Sequence, residues 1–536
     1  MSKATLVKMR PRMGDKSLPF AVALDPATGE VLAEYPLNTL EDVQNAVVRA
    51  RRAQADWENA PLKVRVKHVK KIRDYILDHC DELAAIISRD NGKTLVDAMA
   101  TEVVPAAMAA GYYCKMARRF LEDRKLAAGN VLFFNKRSRI VRIPFGVVGI
   151  ISPWNYPFAI PFSEIIMALL AGNAVLFKAA SETQLVGDAL RRCVDAADLP
   201  KDVFTYITMP GSQAGDAFLD SGIDKLFFTG SVPVGKYLMK KASELLIPCM
   251  LELGGNDPMI VCEDADLKRA AAGAVWAGMQ NAGQSCGGVE RVYVHRKVYD
   301  EFLRLLKIRV ESLRIGNGSD FNTDIGAMTT TRQIDAVRRQ IDEALEMGAE
   351  IYAERKVPVE LKGQFLPCVV LTNVNHQMSV MKDETFGPVL GVMPFDTLDE
   401  AIRLANDTYL GLHGSVWSRN RSRAMQIARR IKSGSVMVND HLMSHGLAEC
   451  PWGGFKESSI GRTHGEIGFA EMTQPLAIIN DILPLARRNF WWHPFDRKLY
   501  EGVRGVIELL YAGSLFRKIG GAVRLMKVFL RTFRAV

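Results

Sequence analysis

Short apolar runs alternate with stretches of helical periodicity through the first half of the chain. Val147-Val148-Gly149-Ile150-Ile151, Ala174-Val175-Leu176-Phe177 and Lys225-Leu226-Phe227-Phe228 suit strands buried on both faces. Helical spacing lies between them, over 161–171 and 183–197. Strand–helix alternation of this kind folds into a parallel sheet flanked by helices. Ahead of it, about 41–120 is helix-rich, with Val43, Ala46, Val47 and Ala50 at helical spacing. A second alternation follows Glu252-Leu253-Gly254-Gly255, with strands at Met259-Ile260-Val261, Arg291-Val292-Tyr293-Val294 and Val389-Leu390-Gly391-Val392-Met393. No repeat of fixed period is present, which argues against a solenoid or propeller. The pattern is two α/β units followed by a tail.

The tail has its own pattern. Phe516, Ile519, Val523, Met526, Leu530 and Phe533 recur at steps of 3, 4, 3, 4 and 3, an apolar stripe along a helix. Arg517, Lys518, Arg524, Lys527, Arg531 and Arg534 make the remainder cationic. Upstream stand Phe490-Trp491-Trp492-His493-Pro494-Phe495, aromatics suited to a membrane interface. Two readings stay open. The helix lies in the headgroup region of an anionic membrane, or its stripe packs on the body of the protein or a partner subunit as a lid. Recurring charges exclude a spanning helix here. The run Ala159 to Phe177, interrupted by Glu164, Gly172 and Asn173, reads as a buried helix and strand. Residues 1–20 lack the apolar core of a secretory signal, so a cytoplasmic protein is expected, attached peripherally to an inner membrane face if the first reading holds.

Charge sharpens this picture. The chain totals 69 − 60 = +9, while Arg487–Val536 holds eleven Lys/Arg and three Asp/Glu, or +8. The other 486 residues are therefore near +1, a neutral body with a basic tail. Nucleic acid is disfavoured as a partner: Trp491 and Trp492 could stack bases, but the amphipathic period fits an apolar surface better. A length of 536 residues at 48% hydrophobic excludes a disordered or low-complexity protein. Eight cysteines, at 80, 114, 193, 249, 262, 286, 368 and 450, include no CxxC pair. Neither a metal site nor a disulfide framework follows, and a reducing compartment is expected.

Three residues invite chemistry. Cys286 stands in Gly283-Gln284-Ser285-Cys286-Gly287-Gly288, where little side-chain bulk obstructs approach to sulfur. Its alternative is a structural thiol. Glu252, between leucines and before paired glycines, is either a general base of raised pKa or a solvent-facing strand end. Asn155, in Pro153-Trp154-Asn155-Tyr156-Pro157, either offers its amide to an oxyanion or caps a local turn.

The motifs Pro-Trp-Asn-Tyr-Pro at 153–157, Phe-Thr-Gly-Ser at 228–231, Glu-Leu-Gly-Gly at 252–255, Gly-Gln-Ser-Cys at 283–286 and Glu-Thr-Phe-Gly-Pro at 384–388 occur in that order. In order and spacing they resemble the aldehyde dehydrogenase superfamily, from about residue 20 to about 480. The resemblance implies an α/β fold: a Rossmann-type cofactor domain over 1–120 and 142–251, and an α/β catalytic domain over 252–463. A small β bridging and oligomerisation element would comprise 121–141 and 464–480, with 487–536 left as the tail. It implies oxidation of an aldehyde to a carboxylic acid, with Cys286 as nucleophile, Asn155 as oxyanion donor and Glu252 activating the hydrolytic water. For the cofactor it implies contacts from Trp154, Lys178, Ser181, Gly211, Gly215, Gly230, Ser231, Gly235, Leu253, Glu384 and Phe386, with a helix N-terminus at Ser231 meeting the pyrophosphate.

One position departs from the family pattern. Three residues beyond Lys178, where NAD-preferring members carry a glutamate, stands Ser181, and the acid falls at Glu182. NAD is the first expectation, and NADP is the alternative because serine would not repel a 2′-phosphate. Glu252 argues against a CoA-acylating enzyme. The remaining alternatives are a semialdehyde dehydrogenase with a small polar substrate and a catalytically inactive scaffold. Gly287 and Gly288 suggest room at the nucleophile, with Phe158, Phe162 and Trp452 as apolar walls and an apolar aliphatic or aromatic aldehyde as substrate. A homodimer or homotetramer is implied too. It would pair through a projecting hairpin in which the apolar strand Val131-Leu132-Phe133-Phe134 precedes Arg139-Ile140-Val141, and through a late strand over 471–480.

Overall fold

A computed structural model describes residues 19–534. The chain divides into two compact units. One takes the described chain up to Glu122 and Arg142–Gln474; the other takes Asp123–Val141 and everything from Pro475 onward.

The first unit is built on two sheets. One has six strands in the order Ser459–Ile460, Cys249–Glu252, Lys225–Thr229, Val147–Ile151, Ala174–Lys178, Phe204–Tyr206. Every pairing is parallel except that of Ser459–Ile460 with Cys249–Glu252. The four strands at Val147, Ala174, Lys225 and Asp257 are buried along their whole length, which is why they read as unbroken runs in the sequence. The helix Ala159–Ala171 is buried on every side, ends at Gly172 in the left-handed region (φ 97°), and feeds directly into Ala174–Lys178. The greasy stretch is thus a buried helix and strand.

The second sheet has seven strands, in the order Glu350–Arg355, Cys368–Thr372, Val389–Phe395, Val289–His295, Asp257–Val261, Ser415–Trp417, Met437–Val438. Only its outer strand Glu350–Arg355 runs antiparallel to its neighbour. The strands ending at Ile151, Lys178, Thr229 and Glu252 deliver Asn155, Lys178, Ser231 and Glu252 just beyond their carboxyl ends, where parallel sheets place ligands.

The second unit carries a three-stranded sheet, Thr473–Asp481, Lys136–Pro144 and Arg124–Leu126, and two tail helices, Arg497–Tyr511 and Leu515–Phe529. Two expectations change here. Val131–Phe133 is a turn of 3-10 helix rather than a strand. Phe490 is buried and Trp491 half-buried: with Leu499 and Val528 they form a small core that Leu132 and Phe529 complete. These two aromatics hold the tail together, leaving Trp492 and Phe495 as the exposed ones.

Candidate active site

Cys286 is brought into place by a sharp turn. The helix Leu267–Met279 stops, and Asn281, Ala282 and Gly283 follow in the left-handed region, with φ of 54°, 53° and 72°. Gly283 is required twice over, because a Cβ there would fall 2.1 Å from the Gly387 carbonyl. Asn281 donates its side-chain amide to the Asn155 carbonyl (2.9 Å) and to that of Gln284 (3.2 Å), tying the cysteine turn to the Asn155 loop. Lys93 donates to the same Asn155 carbonyl at 2.9 Å and pairs with Glu102 at 2.6 Å, all of it buried. Asn155 is buried as well, and its own amide forms no hydrogen bond among the described residues, so it does not cap the local turn.

Cys286 and Glu252 line one cleft, together with Ile160, Glu164, Thr229, His445, Trp452, Thr463 and His464. Glu252 ends its strand buried rather than facing solvent, and neither carboxylate oxygen has a partner among the described residues. Burial raises its pKa well above the ordinary carboxylate range, Glu164 adds to this, and Arg462 opposes it. Burial likewise pushes the Cys286 thiol up, with the Glu384, Asp257 and Glu252 carboxylates adding to it. A thiol so placed keeps its proton until a base removes it.

The sequence reading passed over Glu164, His445, Thr463 and His464. Glu164 is the one charged residue in the helix Ala159–Ala171; both its oxygens are buried and unpartnered, and burial alone lifts its pKa to about 8. That lone acid in an otherwise apolar helix was the available signal. His445 and His464 lie edge to face at 4.7 Å, and burial holds both neutral. Of the expected walls, only Trp452 lines the cleft, close over Gly287, where a Cβ would stand 2.8 Å from its ring. Phe158 and Phe162 instead stack on each other in the core, fully buried.

The cofactor candidates gather around the other strand ends. Lys178 is buried without an ion-pair partner among the described residues, and burial lowers its pKa to about 8 against the pull of exposed Glu182. Gly211 lies beside it: its N–H donates to Ser181 Oγ at 3.3 Å, and a Cβ there would stand 3.6 Å from Lys178 Nζ. Ser231 occupies the N-cap of Val232–Glu244, forms no capping bond itself and is exposed, which leaves a helix N-terminus open to an anion. Gly215, Gly230 and Gly235 serve packing, since the space of a Cβ is taken by Leu238, Phe228 and Leu253 respectively.

Glu384 accepts from the Gly255 N–H at 2.9 Å, and burial with the nearby Glu290 carboxylate raises its pKa to about 8. Phe386, at φ 54°, sets its ring edge-on to Trp154 at 5.3 Å.

The model of the aldehyde dehydrogenase family matches residues 15–478. The chain is 37% identical over 489 residues to a 4,4′-diapolycopene aldehyde oxidase of a Methylomonas species, covering 91% of each. It is 35% identical over 452 residues to a putative NADP+ succinate-semialdehyde dehydrogenase of Mycobacterium ulcerans, covering 84% of this chain and 86% of that one. Among solved structures it is similar to betaine aldehyde dehydrogenase of Staphylococcus aureus in complex with NAD+, with a TM-score of 0.83 at 31% identity over 89% of this chain and 94% of that one. An α/β fold of these two sheets, a cysteine and a buried carboxyl sharing one cleft, and a match over most of its length together make this chain a member of the aldehyde dehydrogenase family.

Proposed function

We propose that this enzyme oxidises an apolar aldehyde to its carboxylic acid in the cytoplasm, with NAD(P), through a thioester on Cys286. The carrying observation is that the thiol and the unpartnered carboxyl of Glu252 line the same cleft. In this reading the Cys286 thiol first gives its proton to water, and the thiolate sulfur bonds to the aldehyde carbon as the carbonyl electron pair moves onto oxygen. The amide of Asn155 and the backbone N–H of Cys286 hold that oxyanion. A bound NAD(P), held by Lys178, Ser181, Gly211 and the amides after Ser231, would supply the acceptor for the hydride that leaves the same carbon. Glu252 then takes a proton from water as the water attacks the thioester, the carbon–sulfur bond breaks and the acid departs.

The donor set suits a dinucleotide. Lys178, Ser181 and Gly211 would hold the adenosine ribose, and the amides after Ser231 the pyrophosphate. Gly215, Gly230 and Gly235 keep the supporting helices close, and Leu253, Trp154, Glu384 and Phe386 border the nicotinamide end. NAD is the favoured cofactor and NADP the alternative, since Ser181 stands where a carboxylate would exclude a 2′-phosphate.

Ile160 and Trp452 in the cleft support an apolar substrate, as does similarity to an enzyme named for a polyene aldehyde. His445, Thr463 and His464 in the same cleft favour a second reading, a small polar semialdehyde. The test is turnover of straight-chain aldehydes of graded length and of succinate semialdehyde, by wild type and by Cys286→Ala. We expect the variant to bind cofactor normally and to lose at least about a thousandfold in kcat with every aldehyde. Residual turnover above that level would refute the nucleophile, and a preference for succinate semialdehyde would select the second reading.

A further inference from the structure

The second tail helix, Leu515–Phe529, is apolar on two opposite faces, and its neighbour in the second unit covers only one of them. Gly521, Leu525 and Val528 face the first tail helix, Arg497–Tyr511. Contact there is backbone to backbone: a Cβ on Gly521 would lie 2.5 Å from the Gly505 carbonyl oxygen and 2.6 Å from the Leu509 nitrogen. About 180° round the helix run Phe516, Ile519, Val523 and Met526, with Leu530 in the turn beyond. All five are exposed, Phe516 at 88%. The stripe read from the sequence therefore exists, and it is not the surface by which the tail packs.

Charge identifies what would cover it. From Leu515 to Arg534 the chain has six Lys/Arg and no Asp/Glu. Arg524 pairs with buried Glu508, and Arg531 donates to the Pro494 carbonyl at 2.6 Å. Arg517, Lys518, Lys527 and Arg534 have no ion-pair partner among the described residues. A second copy of this face would oppose cation to cation. A nucleic acid would satisfy the cations and leave the five apolar side chains in water. An anionic bilayer satisfies both, with the stripe at the acyl boundary and the cations on lipid phosphates.

We propose that this face docks the enzyme peripherally on an anionic phospholipid bilayer. Among the described residues no helix is long and apolar enough to cross one. The proposal is independent of the catalytic reading, because binding and turnover are measured separately.

The experiment is flotation of the full chain with phosphatidylcholine vesicles and with vesicles also containing phosphatidylglycerol, at low and high salt. We expect binding only to the anionic vesicles, released by salt. Phe516→Asp with Val523→Asp should abolish it while aldehyde turnover persists, since both side chains are exposed. Arg517→Gln with Lys518→Gln should lower the partition coefficient by about fivefold for each cation. No flotation, or equal binding to the neutral vesicles, would overturn the proposal. So would a dimer dissociated by Phe516→Asp with Val523→Asp, or retention on duplex DNA without flotation.

Discussion

At the scale of single residues, the site turns on buried carboxyls and a buried thiol whose charged forms burial disfavours. Among the described residues Glu252 and Glu164 have no hydrogen-bond partner, and each is pushed toward its protonated form by burial. Cys286 and Glu252, which share the cleft, stood out as candidates because each sits in a short motif with unusual neighbours. His445 and His464 did not, since no local pattern links them to Cys286, while Glu164 carried a signal only as a lone acid in an apolar helix. Ser181 tests the cofactor end. Its Oγ already meets the Gly211 N–H beside Lys178, so Ser181→Glu places a carboxylate there. We expect kcat/KM with NADP to fall at least about tenfold relative to NAD, by charge repulsion and lost space. An unchanged ratio would remove Ser181 from the ribose site.

At the scale of elements, strands buried on both faces announced themselves as continuous apolar runs, and the two parallel sheets follow from them. The first tail helix did not. Its apolar positions divide between an inward face of Leu499 and small Gly502 and Gly505, and an exposed face of Tyr500, Val503 and Ile507. Leu499, Val503, Val506, Ile507 and Leu510 lie on one side at helical spacing, but the glycines that carry the packed face add nothing to that period, so the sequence does not mark which side packs. Glycines set this pairing. Gly521→Val would drive side-chain atoms into the backbone of Gly505 and Leu509, costing about 1–3 kcal/mol. Amide hydrogen exchange over 497–529 should quicken markedly, with exchange in the strands at Val147–Ile151 and Asp257–Val261 unaltered. Equal protection in the variant would contradict this account of how the tail holds together.

At the scale of the molecule, the family match ends at residue 478 and the charge is concentrated beyond it. The edge strand Thr473–Asp481 exposes Leu476, Ile478 and Ile479, an apolar edge that a second subunit would cover. We expect light scattering at micromolar concentration to give a multiple of 59.5 kDa, and Ile479→Lys to reduce it. A monomer for the wild type would contradict the pairing.

The central claim is that Cys286 forms a thioester which Glu252 hydrolyses from within one cleft. Rapid mixing of Glu252→Gln with cofactor and aldehyde tests it most directly, followed at the absorbance of the reduced nicotinamide. The account predicts one burst, close to one equivalent per active site, and then a stalled enzyme whose thioester persists on Cys286. Steady turnover at the wild-type rate would contradict it.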